Sequence, residues 1–195
     1  MPLRDRLEGE AVKKSLSIFA LAMAALVARL AWAEEFSVTS PSVADGKLTE
    51  RQVLHGFGCA GANLSPALAW SAPPAGTKSF AVTVYDPDAP TGSGWWHWVA
   101  FNLPADLREL PEGAGDPQAL MLPPDAVQSR TDFGSAGYGG ACPPEQAAPH
   151  RYQMTVWALD VDRLDLDANA SGAMVGFFLH AHALGKATLT ASYGR

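Results

Sequence analysis

The feature that most restricts the fold is a series of short runs rich in β-branched and aromatic residues, separated by segments that contain proline and glycine. The run at 95–103 is apolar at successive positions, which is typical of a central strand buried on both faces. Several strands at this spacing predict a β-sandwich or barrel. We expect strands at residues 36–40, 67–70, 78–85, 95–103, 151–159 and 187–193.

One helix is predicted near the end of the chain. Residues 173–184 are apolar with helical content, Ser171 can cap their N-terminus, and Gly185 follows as a stop signal. A second short helix is expected near Asp125. The pattern is therefore mainly β with few helices.

The N-terminal segment resembles a secretory leader. Lys13 and Lys14 precede an apolar run at 15–31 that is interrupted only by Arg29, and Ala31 and Ala33 supply small residues at −3 and −1. The alternative is a membrane anchor, but about 14 apolar residues before the arginine are fewer than the ~20 that a spanning helix needs. We expect residues 1–33 to be a cleaved signal peptide and 34–195 to be one mature domain, periplasmic or secreted.

Charge excludes several partners. The 195-residue chain has a formal net charge of −6, and cleavage would remove five basic and three acidic residues, leaving 9 basic, 17 acidic and a net charge of −8. Without a concentrated basic patch, a nucleic-acid partner is not expected. No basic amphipathic helix indicates tight membrane insertion.

The chain has two cysteines, Cys59 and Cys142, and both lie in the mature part. In an oxidising compartment two cysteines suggest one disulfide, which would close a loop of about 80 residues. The alternative is a pair of buried free thiols. Neither cysteine is in a Cys-x-x-Cys motif, so a thioredoxin-like redox role has no support.

Three segments carry most of the candidate chemistry. Residues 85–90 (YDPDAP) follow a predicted strand, and their prolines hold the preceding residues in extended geometry, so a stiff loop presents the two carboxylates. Residues 95–98 (WWHW) place one imidazole among three indoles. Residues 149–152 (PHRY) follow a glycine-rich loop at 137–144, where backbone N–H groups could turn towards an anion.

Together these motifs resemble the phosphatidylethanolamine-binding protein family, also called Raf kinase inhibitor proteins. The match rests on Asp-Pro-Asp-Ala-Pro at 86–90, Trp-x-His before a strand, Tyr-Gly-Gly…Pro-Pro and Pro-His-Arg-Tyr. The stretch YDPDAPTGSGWWHWVAFNLPA and the ending KATLTASYGR are similar to the bacterial branch. The resemblance implies an antiparallel β-sandwich with a few short peripheral helices, and a shallow pocket for phosphate, phosphorylated headgroups or acetate-like anions.

The resemblance also assigns residues to that pocket. Its ligand-binding residues would be Asp86, His97, His150 and Tyr152, with Tyr138 and the backbone of Gly140 to Cys142 at the rim. Asp88, Pro90 and Arg151 would be structural. Cys142 stands where many eukaryotic members have glycine, so its side chain would narrow the pocket, and a Cys59–Cys142 bridge would stiffen the wall.

We expect Asp86 to accept a hydrogen bond from a histidine ring, fixing its tautomer and raising its pKa, so that imidazole N–H groups can bind phosphate. The predicted function is a non-enzymatic binding or regulatory protein without cofactor or metal. A kinase-inhibitor-like modulator acting on a partner protein, a hydrolase with Asp86 and a histidine as acid/base pair, and a metal protein using Asp86, His97 and His150 are the alternatives. The resemblance to bacterial members further suggests a homodimer.

Overall fold

The computed structural model describes residues 34–195, so the predicted leader lies outside the described residues. Within this range the chain forms ten strands and one helix, α1 (Gly172–His182). The strands are β1 (Ser37–Thr39), β2 (His55–Gly56), β3 (Cys59–Ala60), β4 (Leu68–Ser71), β5 (Ser79–Asp86), β6 (Trp95–Pro104), β7 (Glu109–Leu110), β8 (Val127–Gln128), β9 (His150–Leu159) and β10 (Ala183–Tyr193).

The central element is a five-stranded antiparallel sheet with the order β10-β9-β5-β6-β8. A three-stranded sheet, β1-β4-β7, and the hairpin β2-β3 complete the architecture. The mainly β, antiparallel prediction is confirmed, and all six predicted strands form with ends shifted by a few residues.

The central sheet is covered on both faces, which explains why its middle strands are apolar at successive positions. On one face Phe80, Val82 and Val84 of β5 join the larger core, which includes Trp70 of the small sheet and Met154 of β9. Burial of these side chains holds the two sheets together, at roughly 25 cal/mol per Å² of apolar surface.

On the other face α1 covers a smaller core. Val175 and Leu179 of α1 are fully buried against Val99, Phe101 and the neighbouring strands. Two buried cores make the five-stranded sheet the middle layer of the molecule.

The helix begins as predicted and ends earlier. The Ser171 hydroxyl accepts a hydrogen bond from the Met174 N–H at 3.2 Å, which confirms the N-cap. The helix ends at His182, and Gly185 lies within β10 at an irregularity of its ladder with β9. Pairing with β9 therefore extends the last strand back to Ala183 and overrides the local stop signal.

Around Asp125 the chain forms a turn, so the second predicted helix is wrong.

Cys59 and Cys142 form a disulfide that joins β3 to the glycine-rich loop, across 83 residues of sequence. This confirms the disulfide prediction over the free-thiol alternative.

Among residues 34–195 no helix has the length and apolar character needed to cross a bilayer.

We expect the double substitution Cys59→Ser/Cys142→Ser to lower the free energy of unfolding by about 4 kcal/mol, because the open chain regains loop entropy in the unfolded state. Urea unfolding followed by circular dichroism, with and without reductant, measures this. Reductant should destabilise the wild type and leave the double variant unchanged. Equal stability of the oxidised wild type and the variant would contradict the expectation.

Candidate functional site

The site forms where three strands of the central sheet meet at one end. β5 ends where β6 begins, and Asp86 pairs with Trp95 across that junction. On its other side Tyr85 of β5 lies opposite Gln153, so Asp86 follows next to the start of β9. The antiparallel register therefore brings Asp86, the start of β6 and the start of β9 to the same end of the sheet.

His97 lies in a β-bulge beside this group. Trp98 pairs with Val84 and Trp96 pairs with Tyr85, so His97 is the extra residue between two ladder pairs. Trp96 packs on the smaller core with α1, whereas Trp98 belongs to the larger core. Strict alternation would place Trp96 and Trp98 on the same face of the sheet, and the bulge lets them reach opposite cores. Trp95 and His97, two residues apart, line the same cavity.

Asp86 and His150 form a buried pair. Nδ1 of His150 lies 2.7 Å from Oδ2 of Asp86, and the two residues are 6% and 3% exposed. Because a carboxylate only accepts hydrogen bonds, the His150 Nδ1–H donates, and Nε2 is left as the ring nitrogen outside this bond. The expected hydrogen bond between Asp86 and a histidine ring is therefore present, and the histidine that forms it is His150.

The other Asp86 oxygen is also occupied. Oδ1 accepts the backbone N–H of Asp88 at 2.8 Å and that of Ala89 at 3.1 Å, which closes a turn over the Asp-Pro-Asp segment. Asp86 thus organises its own loop and orients His150 at the same time. Its carboxylate acts as a positioning group.

Asp88 and Arg151 form the second tie between this loop and β9. The Arg151 guanidinium donates to both Asp88 oxygens, at 2.9 and 2.7 Å, and the Arg151 backbone N–H donates to Oδ2 at 2.9 Å. The hydrogen bonds from Arg151 lower the pKa of Asp88 to about 2. Neither side chain lines the cavity, whereas Pro90, the third residue predicted to be structural, does.

His97 is held differently. Its Nδ1 lies 2.7 Å from the carbonyl oxygen of Gly139, and the Gly139 N–H donates back to the His97 carbonyl at 2.9 Å. Burial lowers the pKa of His97, and the bond to Gly139 opposes this effect without cancelling it. A raised pKa was expected for a histidine bound to Asp86, but His97 has no such bond. The lowered pKa favours the neutral ring, in which Nδ1–H donates to the Gly139 carbonyl and Nε2 carries the lone pair.

The cavity above these residues has a volume of about 260 Å³. Two lining residues carry buried polar atoms that have no hydrogen-bond partner among the described residues, namely the Tyr152 hydroxyl and the Trp95 indole N–H. The lining consists of Phe57, Asp86, Ala89, Pro90, Thr91, Trp95, His97, Phe133, Cys142, Pro143, Pro144, His150 and Tyr152.

The structure brings together five of the seven predicted ligand-binding residues: Asp86, His97, Cys142, His150 and Tyr152. Tyr138 and Gly140 do not line the cavity, which corrects their predicted place at the rim. Tyr138 lies in the larger core, and its hydroxyl donates to the Gln52 carbonyl at 2.9 Å. Burial raises the pKa of Tyr138 above the ordinary value of a tyrosine.

The glycine-rich loop does not offer a free set of N–H groups. The N–H of Gly140 donates to the Asn63 side chain at 2.8 Å, and that of Ala141 donates to the Gln52 carbonyl at 3.1 Å. A Cβ on Gly140 would lie 2.4 Å from the backbone nitrogen of Leu54. Close packing of two backbones therefore explains this glycine, and the predicted anion nest is wrong for these groups.

Sequence reasoning missed the aromatic wall of the cavity. Phe57 and Phe133 come from the β2-β3 hairpin and from a loop, and their rings stack with centroids 5.9 Å apart. Trp95 packs edge-on to Phe133 at 5.4 Å. The three indoles at 95–98 were noticed, but nothing near Phe57 or Phe133 in the sequence marks either as part of a site.

The metal alternative finds no support in this geometry. Among residues 34–195 no group of three or more His, Cys, Asp or Glu side chains is arranged to hold a metal ion. Asp86 has both oxygens occupied, and His97 and His150 each have Nδ1 engaged.

The fold and the site define a β-sandwich protein with a small cavity built around buried imidazoles. The phosphatidylethanolamine-binding protein family model matches residues 39–194. This chain therefore belongs to the phosphatidylethanolamine-binding protein family, as the resemblance predicted.

Two relatives in Escherichia coli (strain K12) are similar over most of the chain. UPF0098 protein YbcL is 54% identical over 164 residues, covering 84% of this chain and 90% of the relative. UPF0098 protein YbhB is 58% identical over 156 residues, covering 79% and 97%. The crystal structure of Escherichia coli YbcL, described as a new member of the mammalian PEBP family, matches with a TM-score of 0.81 at 53% identity, covering 83% of this chain and 99% of that chain.

We expect Asp88→Asn to lower the free energy of unfolding at pH 7 by up to about 1 kcal/mol, because it removes a bidentate but largely exposed ion pair. The folded-state pKa of Asp88, about 2, lies below its ordinary value. The pair therefore stabilises the fold fully above about pH 4, and this contribution disappears as the pH falls towards 2.

Urea unfolding at pH 7 and at stepwise lower pH measures the difference between wild type and variant. Asp106→Asn, at an exposed carboxylate after β6, is the matched control and should show no such convergence. A wild-type-to-variant difference that stays constant from pH 7 to pH 2 would contradict the assignment.

Proposed function

We propose that this chain is an exported, non-enzymatic binding protein whose cavity takes a small anion such as phosphate or a phosphorylated headgroup. The observation that carries the proposal is the pair of buried imidazoles, His97 and His150, on the wall of one cavity. Each ring has Nδ1 fixed by an acceptor, so each offers only Nε2 to an occupant. Tyr152 and Trp95, which also line the cavity, carry a buried hydroxyl and a buried indole N–H without a partner among residues 34–195.

Protonation decides what these rings can bind. A neutral ring with Nδ1–H engaged presents a lone pair at Nε2, which disfavours an anion. A protonated ring presents an N–H donor and a positive charge, which favour one. Burial lowers the pKa of His97, so its uptake of a proton requires acid conditions or a bound anion. Anion binding is therefore coupled to proton uptake.

Local charge matters because the domain as a whole is acidic. The field of the whole molecule repels anions, so the cavity must attract them at short range. The Asp86 carboxylate orients the His150 ring through the 2.7 Å hydrogen bond to Nδ1 and leaves Nε2 as the free ring nitrogen. A small, shallow site of this kind suits binding of modest affinity.

Binding is favoured over catalysis by the lack of an activated nucleophile in the lining. The Cys142 sulfur is in a disulfide, the Thr91 hydroxyl donates to the Gly94 carbonyl, and the lining contains no serine. A hydrolase would have to use water activated by the Asp86–His150 pair. Turnover in a screen of ester and phosphoester substrates, lost in Asp86→Asn, would favour that alternative.

The proposed location rests on three features. The sequence carries a leader-like segment, the described domain has a disulfide, and a relative from Mycobacterium tuberculosis, 32% identical over 161 residues, has "lipoprotein" in its name. These features favour an extracytoplasmic site, and the leader pattern favours cleavage after Ala33.

A homodimer stays a prediction, which light scattering after size-exclusion chromatography checks.

We expect sulfate to bind several-fold more tightly at pH 5.5 than at pH 8, because imidazole protonation supplies donors and charge. Sulfate keeps its two charges over this range, so a change in affinity reports on the protein. Isothermal titration calorimetry measures it, with phosphate and phosphorylethanolamine as further ligands. His150→Ala should weaken sulfate binding at pH 5.5 at least about tenfold through loss of a charge-assisted hydrogen bond.

His182→Ala is the matched control. His182 bonds to Asp160 at the end of α1 and does not line the cavity, so its removal should leave sulfate affinity unchanged. Tighter binding at pH 8 than at pH 5.5, or full affinity in His150→Ala, would refute the proposed role of the imidazoles.

A further inference from the structure

Most of the cavity wall is apolar. Phe57, Phe133 and Trp95 form an aromatic wall on one side, and Pro90, Pro143 and Pro144 are the prolines of the lining. An inorganic oxyanion held by the imidazoles would leave the apolar side chains of this wall exposed to water. The volume of about 260 Å³ approaches the lower end of the ~300–1,000 Å³ typical of pockets for organic ligands.

Phe57 stands in an unfavourable backbone conformation. It is the first residue of a two-residue turn, Phe57-Gly58, with φ values of 50° and 82°, between the paired residues Gly56 and Cys59. Positive φ at both central residues is typical of a type I′ turn, a conformation that asparagine or glycine adopts readily at the first position and a bulky aromatic residue does not. The side chain is also 76% exposed, so it gains little from burial.

The hairpin is tied to the opposite loop at two neighbouring residues, Gly58 in the turn and Cys59 directly after it. The disulfide links Cys59 to Cys142, and the Arg195 guanidinium donates to the carbonyls of Gly58 at 3.0 Å and Pro143 at 2.8 Å. The Phe57 ring is therefore held at the mouth of the cavity. A strained, exposed phenyl group fixed at a cavity mouth contributes little to folding and is suited to contact with an occupant.

We propose that the ligand of this cavity is a small acid with an apolar, ring-sized substituent, and that Phe57 determines the preference for it. The inference rests on the proposed anion site. The acid group meets the imidazoles, and the substituent packs on the wall of Phe57, Phe133 and Trp95. Asparagine or glycine would suit this turn position better than phenylalanine. We infer that phenylalanine is present because its ring supplies part of the contact with the substituent.

Calorimetry with methylphosphonate and phenylphosphonate at pH 5.5 tests the inference, since both carry the same acid group and one main charge there. We expect the wild type to bind phenylphosphonate at least about tenfold more tightly, from the apolar area that the ring buries. In Phe57→Asn this preference should fall several-fold, while methylphosphonate affinity stays unchanged. Asparagine suits the turn, so the melting temperature should rise by about 2–4 °C.

Phe177→Ala is the matched control, because Phe177 on α1 is 70% exposed and does not line the cavity. It should leave both affinities unchanged. Equal binding of the two phosphonates by the wild type would overturn this inference and leave the anion site standing. Binding of neither would overturn both. An unchanged preference in Phe57→Asn, an equal loss for both ligands, or a lower melting temperature would overturn the role of Phe57.

Discussion

The site depends on the contact between the Asp86 carboxylate and the His150 imidazole at the end of the central sheet. Asp86 is buried, and each of its oxygens accepts a hydrogen bond: one from His150, the other from the loop that Asp86 itself begins. A buried carboxylate left without such partners would cost several kcal/mol. The Asp86 carboxylate can be buried only when its loop is folded and the His150 ring is in position. Each of these three features therefore depends on the other two.

A second level of constraint comes from the segments that frame the cavity. The disulfide joins the β2-β3 hairpin to the loop of Cys142, and the Arg195 guanidinium bridges the same two segments. Loops held this way lose little further entropy when a ligand arrives, which favours binding. The glycines in that loop serve close backbone packing, and the N–H groups of Gly140 and Ala141 are already bonded within the fold.

The two histidines reach the cavity by different means, and this gives them different chemistry. His150 begins β9 and meets a carboxylate, whereas His97 lies in a bulge and meets a backbone carbonyl. Burial lowers the pKa of His97, and the bond to a neutral carbonyl opposes this effect without cancelling it. The cavity thus combines two imidazoles in different surroundings, inside a domain whose overall charge is negative.

The amino-acid sequence alone determined the strand-rich pattern, the cap at Ser171, the stiff Asp-Pro-Asp turn and the family, because these depend on neighbouring residues or on a set of motifs. It also identified Asp86, His97, His150 and Tyr152 as site residues. Only the tertiary structure decided which histidine pairs with Asp86, that Tyr138 lies in the core, that the glycine-loop amides are already bonded, and that Phe57 and Phe133 form a wall. These facts depend on strand register, a bulge and contacts between segments distant in sequence, and no local pattern encodes them.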